Sequence, residues 1–507
     1  MASFWGSRKR NADAAESNEA RDGEHQYGDP TERTRLLPSD NNQGPLSPDD
    51  PAVSPLNLLS VRVLRSIALC FLGGTFICWT ILLVSIFVTP PLMHSRGSGF
   101  FAFAFTTLAM GYLALGLLFF AVPSKSIPIW GGILAFFLVV DMLLIVVVPR
   151  IRQEEGWVGI ISVVWAIVVS IYQIIQNRAV ATGKREEEER LTGREETRRS
   201  LREWLAVTVE TVALVVMALA AILIMATLSI RIRDATLEPR GTRYSVHGES
   251  YQVHLACVGN RTAENADEPT ILLEGGYGPV EHTLQPFMED AYRSGIIRMT
   301  ADALSEALAL ADETGPWVVV SAGIGSIYSR LFASRHLLEV SGIFMIDPLH
   351  EAYLNKVGSS SHGFVLWLRG VISPLGLDRL AGAILRGRTR EDRIVGRSAY
   401  QSDKFIKAKL QENLVAVTMT AAEVQSARNV QMGETPLMVI SSGREIQKSA
   451  EWGQRQEDLS HITNKLLSWD IVHDAPHEVW TVTAGRQLLE QRLREMVKAS
   501  HAHRSQK

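Results

Sequence analysis

The sequence of 507 residues has only three cysteines, Cys70, Cys78 and Cys257. None of them has the paired spacing of a zinc site, and Cys257 has no second cysteine in the C-terminal half with which to form a disulfide. That half must therefore be stabilised by an apolar core. His473 and His477 are four residues apart but lack the Glu-x-x-His context of a zinc-binding helix. We expect neither a metal nor another cofactor.

An excess of charge of one sign is also absent, since 51 Lys and Arg stand against 54 Asp and Glu, giving a net charge of −3. Nucleic-acid-binding proteins carry a basic patch on one domain or helix face. In this sequence the basic residues lie beside apolar segments and alternate with acids, as in residues 184–202. We expect no nucleic-acid partner.

Long apolar runs, by contrast, are abundant, and the mean hydropathy is +0.07. Five such runs lie within residues 61–232, and they cover residues 66–88, 99–122, 127–148, 157–175 and 205–230. Each is close to the ~20 residues that an α-helix needs to cross a hydrocarbon core. The sequence therefore predicts an α-helical membrane domain of five transmembrane helices in contact with membrane lipid.

The basic residues beside these runs are unevenly distributed. One set of loops contains Arg62, Arg65, Lys125, Arg178, Lys184, Arg185, Arg190, Arg194, Arg198, Arg199 and Arg202. The other set contains Arg96, Arg150, Arg152, Arg231 and Arg233. Because Lys and Arg are retained on the cytosolic side, we expect a cytosolic N-terminus and a lumenal C-terminal half. An Asn-x-Thr sequon at Asn260 would then be accessible to glycosylation.

Residues 1–60 are rich in polar and charged residues and have no hydrophobic period, which predicts a disordered cytosolic tail. Within this tail, Glu32, Leu36 and Leu37 resemble an acidic dileucine signal, which sorting adaptors read on vacuolar and lysosomal membrane proteins. We therefore expect a sorting adaptor as a partner and favour an endomembrane or vacuolar membrane. The plasma membrane and a mitochondrial membrane are the alternatives.

Two acids, Asp141 and Glu210, lie inside the predicted spans. An ionisable residue at membrane depth is costly and is a candidate for function. Asp141 lies deeper than Glu210 and keeps open the hypothesis of a membrane transporter with an accessory C-terminal domain. The five spans have no detectable inverted repeat, which argues against that hypothesis.

Residues 241–500 alternate short β-branched runs with amphipathic helices, a pattern typical of a doubly wound, mostly parallel sheet. Strands are predicted at residues 251–258, 270–274, 317–321, 342–348, 436–441 and 467–472. Ligands of such sheets bind at the carboxyl ends of the strands. The functional residues of this half are therefore sought in the turns that follow these strands.

One of these turns, Ser321-Ala322-Gly323-Ile324-Gly325, lacks the residue that would make it reactive. It lies between a predicted strand and a predicted helix and has the shape of a G-x-S-x-G nucleophile elbow, with glycine at its centre. Glycine offers no oxygen to attack a carbonyl group. A standard acyl-enzyme is therefore excluded unless a neighbouring hydroxyl, of Ser321 or Ser326, replaces the missing one.

Residues 316–333, 346–351 and 475–478 resemble the α/β-hydrolase superfamily, in particular its fungal branch in which several membrane spans precede the hydrolase domain. The resemblance implies that Gly323 occupies the nucleophile position and that His477 is the catalytic base. It also implies an oxyanion hole formed by Ile324 and by the turn that contains Gly276 and Tyr277.

The acid of such a triad is open between two residues. Asp347 directly follows a predicted strand and is favoured, because the superfamily uses the order nucleophile, acid, histidine. Glu445 follows the strand that ends at Ser441 and is the alternative.

Two further features depart from an ordinary hydrolase. Only residues 292–300 remain between helices predicted at 281–291 and 301–313, so the sheet is expected to lack one strand, with residues 296–298 as the only stretch that could form a stub. An unfilled position in the sheet would leave unpaired backbone groups. A helical insertion over about residues 351–432 is expected to be a lid that packs on its own domain, with contact to the bilayer as the alternative.

Three functional hypotheses follow from these observations. The favoured one is a lumenal hydrolase-like domain without standard serine catalysis, which binds a small apolar or ester ligand. The alternative is an active ester or lipid hydrolase in which Ser326 acts with His477 and Asp347. The third is the transporter hypothesis that rests on Asp141.

Overall fold

A computed structural model of the protein describes residues 59–88, 97–192, 201–237, 241–246, 251–257, 268–276, 296–297, 301–313, 315–394, 396–428, 430 and 433–504. The predicted sorting signal at Glu32, Leu36 and Leu37, the sequon at Asn260 and the oxyanion-hole candidate Tyr277 lie outside these residues. Their predicted roles stay predictions.

Five helices in the first half are long and apolar enough to cross a membrane, as the sequence predicts. They are α1 (Leu59–Phe87), α2 (Phe100–Leu118), α3 (Ser126–Val147), α4 (Pro149–Thr192) and α5 (Leu201–Ala235). Helix α4 is broken at Gly156, whose φ of 63° lies in the left-handed region. The fourth predicted span begins directly after this break.

The five helices form a bundle with α3 packed against both α4 and α5. Leu134, Leu138, Val163 and Leu214 belong to its buried core. Many apolar side chains on the outer faces, such as Phe136, are exposed. Apolar residues all round a helix are typical of a membrane span, where lipid covers the outer face.

The two acids of the bundle differ in their surroundings. The hydroxyl of Ser124 donates a hydrogen bond of 2.5 Å to the Glu210 carboxylate. Asp141 is fully buried, and neither of its carboxylate oxygens has a hydrogen-bond partner among the described residues. The burial of Asp141 does not test the transporter hypothesis, which stays a prediction.

The described residues of the C-terminal half form two sheets. Strands β1 (Thr242–Val246) and β2 (Tyr251–Leu255) form an antiparallel hairpin. A parallel sheet of six strands has the order β4-β3-β5-β6-β7-β8. Its strands are β3 (Thr270–Glu274), β4 (Ile296–Ile297), β5 (Trp317–Ala322), β6 (Val340–Ile346), β7 (Leu437–Ser442) and β8 (Leu466–Val472). The doubly wound, mostly parallel sheet predicted from the sequence is confirmed.

The shortened strand is the two-residue β4, which pairs with Ile271 and Leu272 at the edge of the sheet. Strand β3 pairs directly with β5 over Thr270–Glu274. Of the stub predicted at residues 296–298, Ile296 and Ile297 form this strand, and residue 298 lies outside the described residues. Among the described strands β4 lies at the edge, so its shortness opens no gap beside the central strand β5.

Helices cover both faces of the parallel sheet. They are α6 (Ala301–Leu310), α7 (Gly325–Arg335), α14 (Gly443–Lys448), α15 (Ala450–Ser460) and α16 (Thr483–Arg504). Val319 faces a core shared with α6 and α7, whereas Val318 and Val320 face a core shared with α16. This alternation follows from the two-residue period of a strand.

The insertion between β6 and β7 is helical, as predicted. Its helices are α8 (Leu354–Val357), α9 (Ser360–Ile372), α10 (Leu377–Leu385), α11 (Arg390–Ile394), α12 (Asp403–Val415) and α13 (Ala421–Arg428). Shorter 3₁₀ turns cover Glu351–Tyr353, Ser373–Leu375, Arg397–Gln401 and Val479–Thr481, and a π-helical turn covers Ala416–Thr420.

The expectation that this insertion packs on its own domain holds for α13, which contacts α7, but is wrong for α9 and α12. These two helices share a buried apolar cluster with α1 and α2, in which Leu366 and Leu410 meet Ile86 and Phe100. In addition, Gln411 Nε2 donates a hydrogen bond of 3.1 Å to the carbonyl of Ile86 at the end of α1. The last carbonyls of a helix need such donors.

Buried charges reinforce this junction. Arg231 of α5 donates to Glu155 at 2.9 Å and to Glu154 at 2.7 Å, and lies 3.9 Å from Asp403 of α12. Ser98 donates to the same Asp403 at 2.6 Å. We call Arg231, Glu154, Glu155 and Asp403 the boundary ion cluster. Buried charges are tolerated when they are paired in this way.

A second set of ion pairs lies one turn further along α5. Asp234 accepts a hydrogen bond of 2.7 Å from Arg393 and one of 3.2 Å from Arg379. All three side chains are at least nine-tenths buried. The insertion is therefore joined to the membrane domain by apolar packing and by two groups of buried ion pairs.

Candidate active site

The turn after β5 has the backbone of a nucleophile elbow. Gly323 has φ of 52° and connects β5 to α7. Its N–H donates to the carbonyl of Ile346 at 3.1 Å, which ties the turn to the end of β6. A Cβ on Gly325 would lie 2.5 Å from the carbonyl oxygen of Gly275, so a side chain would not fit there. The turn is thus built for close approach, with a glycine at its apex.

Asp347 and His477 are brought together at this turn. His477 Nδ1 donates a hydrogen bond of 2.5 Å to Asp347 Oδ2. The other oxygen, Oδ1, accepts hydrogen bonds of 3.0 Å from the backbone N–H of Ser442 and from Trp452 Nε1. Asp347 is fully buried, and these three donors compensate the burial of its charge.

Asp347 also has φ of 39°, an uncommon conformation for a residue other than glycine. Its N–H donates to the carbonyl of Ile440 at 2.6 Å, so the residue continues the pairing of β6 with β7 while its side chain turns towards His477. A strained backbone that is held by its surroundings is a recurrent property of functional sites.

The surroundings of His477 shift its pKa in two opposite directions. Burial by itself would lower the pKa of His477, but the hydrogen bond and the charge of Asp347, together with the charges of Glu445 and Glu478, raise the pKa above its usual value. The side chain remains 29% exposed. His477 therefore keeps an orienting acid and access to a ligand, which are the properties of a general base or of a hydrogen-bonding anchor.

The alternative acid, Glu445, is placed differently. It lies on α14 and forms an ion pair of 2.6 Å with Lys448. Its charge acts on His477, whereas the hydrogen bond to Nδ1 comes from Asp347. The geometry thus favours Asp347 as the partner of His477.

The ring of His477 lies very close to the nucleophile position. A Cβ built on Gly323 would lie 2.9 Å from His477 Nε2 and 3.4 Å from Cε1. The same Cβ would lie 3.7 Å from Gly276 Cα. A side chain on residue 323 would therefore point at the imidazole, where a nucleophile belongs, but the ring would have to move back by a few tenths of an ångström.

The two serines near the elbow are engaged elsewhere. Ser326 is fully buried and donates its hydroxyl to the carbonyl of Gly323 at 2.7 Å. Ser321 is also fully buried and shares a hydrogen bond of 2.8 Å with Ser329. Both hydroxyls serve the backbone or the core of the turn. A nucleophile needs an exposed oxygen beside the base, which this arrangement does not provide.

The predicted oxyanion hole is partly described. Gly276 lies against the elbow, since a Cβ on it would be 3.2 Å from the carbonyl oxygen of Ala322. Ile324 directly precedes α7, where backbone N–H groups point towards the helix start. Both residues lie where the resemblance predicts them. Their role as oxyanion donors stays a prediction.

Sequence analysis did not identify Trp452 as part of this site. Its indole N–H bonds Asp347, and its ring lies edge-on to His477 with 6.2 Å between the ring centroids. Trp452 is 105 residues from Asp347 in the chain. No local pattern indicates such a contact, because α15 must first fold over the ends of β6 and β7.

The strand order, the parallel crossovers and the elbow with its Asp347–His477 pair define a membrane protein with a domain of the α/β-hydrolase fold. Residues 32–257 match a protein family described as a region of unknown function (DUF2417). A protein of Schizosaccharomyces pombe is 30% identical over 523 residues, which cover 92% of this chain and 96% of that protein. The chain belongs to the same family as this fission-yeast protein.

Other similar proteins cover part of the chain. An uncharacterized vacuolar membrane protein of Saccharomyces cerevisiae is 24% identical over 309 residues, or 47% of this chain and 48% of that protein. A thermophilic esterase from Thermogutta terrifontis aligns with a TM-score of 0.34 and 13% identity, covering 51% of this chain and 99% of the esterase. A haloalkane dehalogenase from Bradyrhizobium elkani aligns with a TM-score of 0.38 and 11% identity, covering 52% and 98%.

Proposed function

We propose that this protein is a membrane-anchored binding protein whose hydrolase-like domain has lost serine catalysis. The observation that carries the proposal is Gly323 at the apex of an otherwise intact elbow, with His477 Nε2 2.9 Å from the position of a Cβ. Without a hydroxyl at this point the standard acyl-enzyme cannot form. The imidazole can instead form a hydrogen bond to a bound ligand.

The ligand class follows from what remains of the site. The Asp347–His477 pair supplies one polar group that can donate or accept a hydrogen bond. The backbone N–H groups near Ile324 would face a carbonyl oxygen of the ligand. A small apolar molecule or an ester fits these groups, since it needs few polar partners.

For the location we propose the vacuolar membrane, with the N-terminus in the cytosol and the hydrolase-like domain in the lumen. The description of the Saccharomyces cerevisiae relative supports the organelle. The uneven distribution of Lys and Arg beside the spans supports the orientation. Sorting by an adaptor would use Glu32, Leu36 and Leu37 in the tail.

The catalytic part of the proposal is tested by labelling the full chain in membranes with a fluorophosphonate, which reacts with activated serines. We expect no labelling of the native chain and labelling of Gly323→Ser, because the new hydroxyl would meet His477. Labelling should be lost in Gly323→Ser combined with His477→Ala. Native labelling that Ser326→Ala abolishes would establish the displaced-serine hydrolase instead. Absence of labelling in Gly323→Ser would refute a preserved elbow.

The orientation is tested at the sequon. If the domain is lumenal, glycosidase treatment should increase the electrophoretic mobility of the native chain and leave Asn260→Gln unchanged. A protease added to sealed vacuoles should then spare the domain. Digestion of the domain by that protease would place it in the cytosol.

A further inference from the structure

Helix α9 has its apolar face on the outside of the protein. Phe364, Val365, Leu368 and Ile372 follow one another at helical spacing and are 60%, 51%, 43% and 41% exposed. On the opposite face, Gly370 is buried against α2. Four large apolar side chains on one contiguous face are unfavourable in water, so this face requires an apolar cover.

The position of α9 along the bundle indicates what the cover is. A Cβ on Gly370 would lie 2.0 Å from the ring of Phe100, the first residue of α2. Further along, a Cβ on Gly376 would lie 2.1 Å from Thr227 Oγ1. Thr227 is eight residues before the end of α5, or about 12 Å along a helix. The neighbouring Leu375 packs against the transmembrane core.

The turn that follows α9 therefore lies alongside α5 at Thr227, which is inside the predicted span of residues 205–230. Helix α9 also packs against α1 and α2, whose outer faces lipid covers in a membrane span. An amphipathic helix in the plane of the interface buries its apolar face in the acyl region in this way. This geometry favours lipid as the apolar cover of the exposed α9 face.

A cavity of about 200 Å³ lies between α9, α10 and the start of α12. Its described lining includes the polar side chains of Arg369, Ser373, Arg379 and Gln401, one carboxylate, Asp378, and the apolar side chains of Ile372, Leu377 and Ile406. Arg379 is only 8% exposed. Its Nη2 bonds Asp234 at 3.2 Å, while its buried Nε has no hydrogen-bond partner among the described residues.

A buried N–H without a hydrogen-bond partner is energetically unfavourable, so Nε of Arg379 is expected to bind an acceptor. Guanidinium groups match the oxygens of a phosphate, and Arg369 supplies a second guanidinium to the lining of the same cavity. The cavity borders the apolar face of α9 through Ile372, which belongs to both. A ligand with a phosphate and two acyl chains would satisfy both surfaces at once.

We propose that α9, α10 and the last turns of α5 form a binding site for an anionic glycerophospholipid of the surrounding leaflet. Its phosphate would lie in the cavity between Arg369 and Arg379, and its acyl chains would lie against Phe364, Val365 and Leu368. The site is separate from His477 and does not depend on the function proposed for that residue.

The headgroup part is tested on the purified full chain in detergent, with dioctanoyl phosphatidylglycerol as the probe and native mass spectrometry as the measurement. We expect binding of the probe, and a loss of affinity of roughly 10-fold in Arg369→Gln, as for removal of a charged hydrogen bond. Arg386→Gln is the matched control, since Arg386 is an exposed arginine of the same insertion that does not line the cavity. Arg379→Lys should also bind more weakly, because it keeps the charge but lacks Nε.

Three results would overturn this assignment. Equal affinities of Arg369→Gln and Arg386→Gln would exclude the cavity as the headgroup site. Equal binding of dioctanoyl phosphatidylcholine would show that the negative charge of the lipid is not recognised. Full displacement of the lipid by millimolar inorganic phosphate would identify a site for free phosphate and not for lipid.

The acyl part is tested in liposomes with an environment-sensitive dye on a single cysteine, after Cys70, Cys78 and Cys257 have been replaced by serine. Leu368→Cys should give blue-shifted emission and strong quenching by doxyl-labelled lipid. Leu338→Cys is the control, because Leu338 is an equally apolar residue, 90% exposed, in the sheet domain. Similar quenching at both positions, or none at residue 368, would refute the embedded face. Unchanged melting temperatures would verify that both variants are folded.

Discussion

His477 Nε2 lies 2.9 Å from the point where a Cβ of residue 323 would begin. The imidazole of a serine hydrolase needs room for a side chain at this point, and here the ring has taken part of that room. Two features therefore disfavour a side chain at residue 323, the left-handed φ of 52° and the close approach of the His477 ring.

The first prediction separates the effect of backbone strain from the effect of steric contact with the His477 ring. Gly387 has φ of 58° and no atom within 4 Å of a built Cβ. We therefore expect Gly387→Ala to lower the free energy of unfolding by about 1–2 kcal/mol through backbone strain. Gly323→Ala should cost more, by about 1 kcal/mol, because the ring of His477 must also move. Apparent melting temperatures of the full chain in detergent provide the measurement. In a background that carries His477→Ala, Gly323→Ala should destabilise the chain no more than Gly387→Ala does. Equal destabilisation by the two glycine variants in the native background would contradict a steric contact between residue 323 and the ring.

The second prediction concerns the support of Asp347. Trp452→Phe removes the indole donor at 3.0 Å from Oδ1 and should destabilise the domain by about 1–3 kcal/mol, because a buried carboxylate loses a partner. Trp469→Phe removes a similar indole bond of 3.0 Å, but to the neutral Ser441 hydroxyl. Its expected cost is smaller, about 0.5–1.5 kcal/mol. Thermal or urea unfolding compares the two, and a larger loss for Trp469→Phe would argue against a charged Asp347.

The third prediction is a pH dependence. Because folding raises the pKa of His477 above its usual value, the protonated form is favoured in the folded state. The resulting stabilisation is complete below the unfolded pKa of about 6.5 and is lost as the pH rises through the folded pKa. The melting temperature of the native chain minus that of His477→Gln should therefore be largest in acid. A difference that is constant or increases with pH would contradict the raised pKa.

The fourth prediction concerns the boundary ion cluster. Arg231→Met leaves Glu154, Glu155 and Asp403 without their shared cation, and removal of one buried partner typically costs about 3–5 kcal/mol. Arg233→Met is the matched control, because Arg233 is exposed two residues further along α5 and its side chain is not part of the cluster. Limited proteolysis should cut the insertion faster in Arg231→Met. Equal rates in the two variants would mean that the cluster does not hold the insertion in place.

Sequence reasoning succeeded where a pattern is local. Apolar runs of membrane length, strands followed by glycine turns, and Asp347 directly after β6 are all determined by neighbouring residues. The same reasoning placed Gly323 at the apex of the turn that the structure contains. The pairing of Asp347 with His477 follows from the parallel order of the strands, which brings their carboxyl ends to one edge.

It failed where contacts join distant parts of the chain. The packing of α9 on α2 depends on Gly370, a small residue whose fit against Phe100 has no periodic signal. Arg231 and Asp403 are 172 residues apart, and each alone is typical of a solvated charge. The edge position of β4 likewise depends on the strand order and not on the residues of the strand.

The docked insertion gives the hydrolase-like domain a second point of attachment besides the chain that leaves α5. A domain that is joined to the membrane helices at two places has less rotational freedom than one that is joined by a linker alone. The ring of His477 therefore keeps a more constant position relative to the membrane helices. A protease that cut the chain between α5 and β1 would leave the domain on the membrane, still held by α9 and α12.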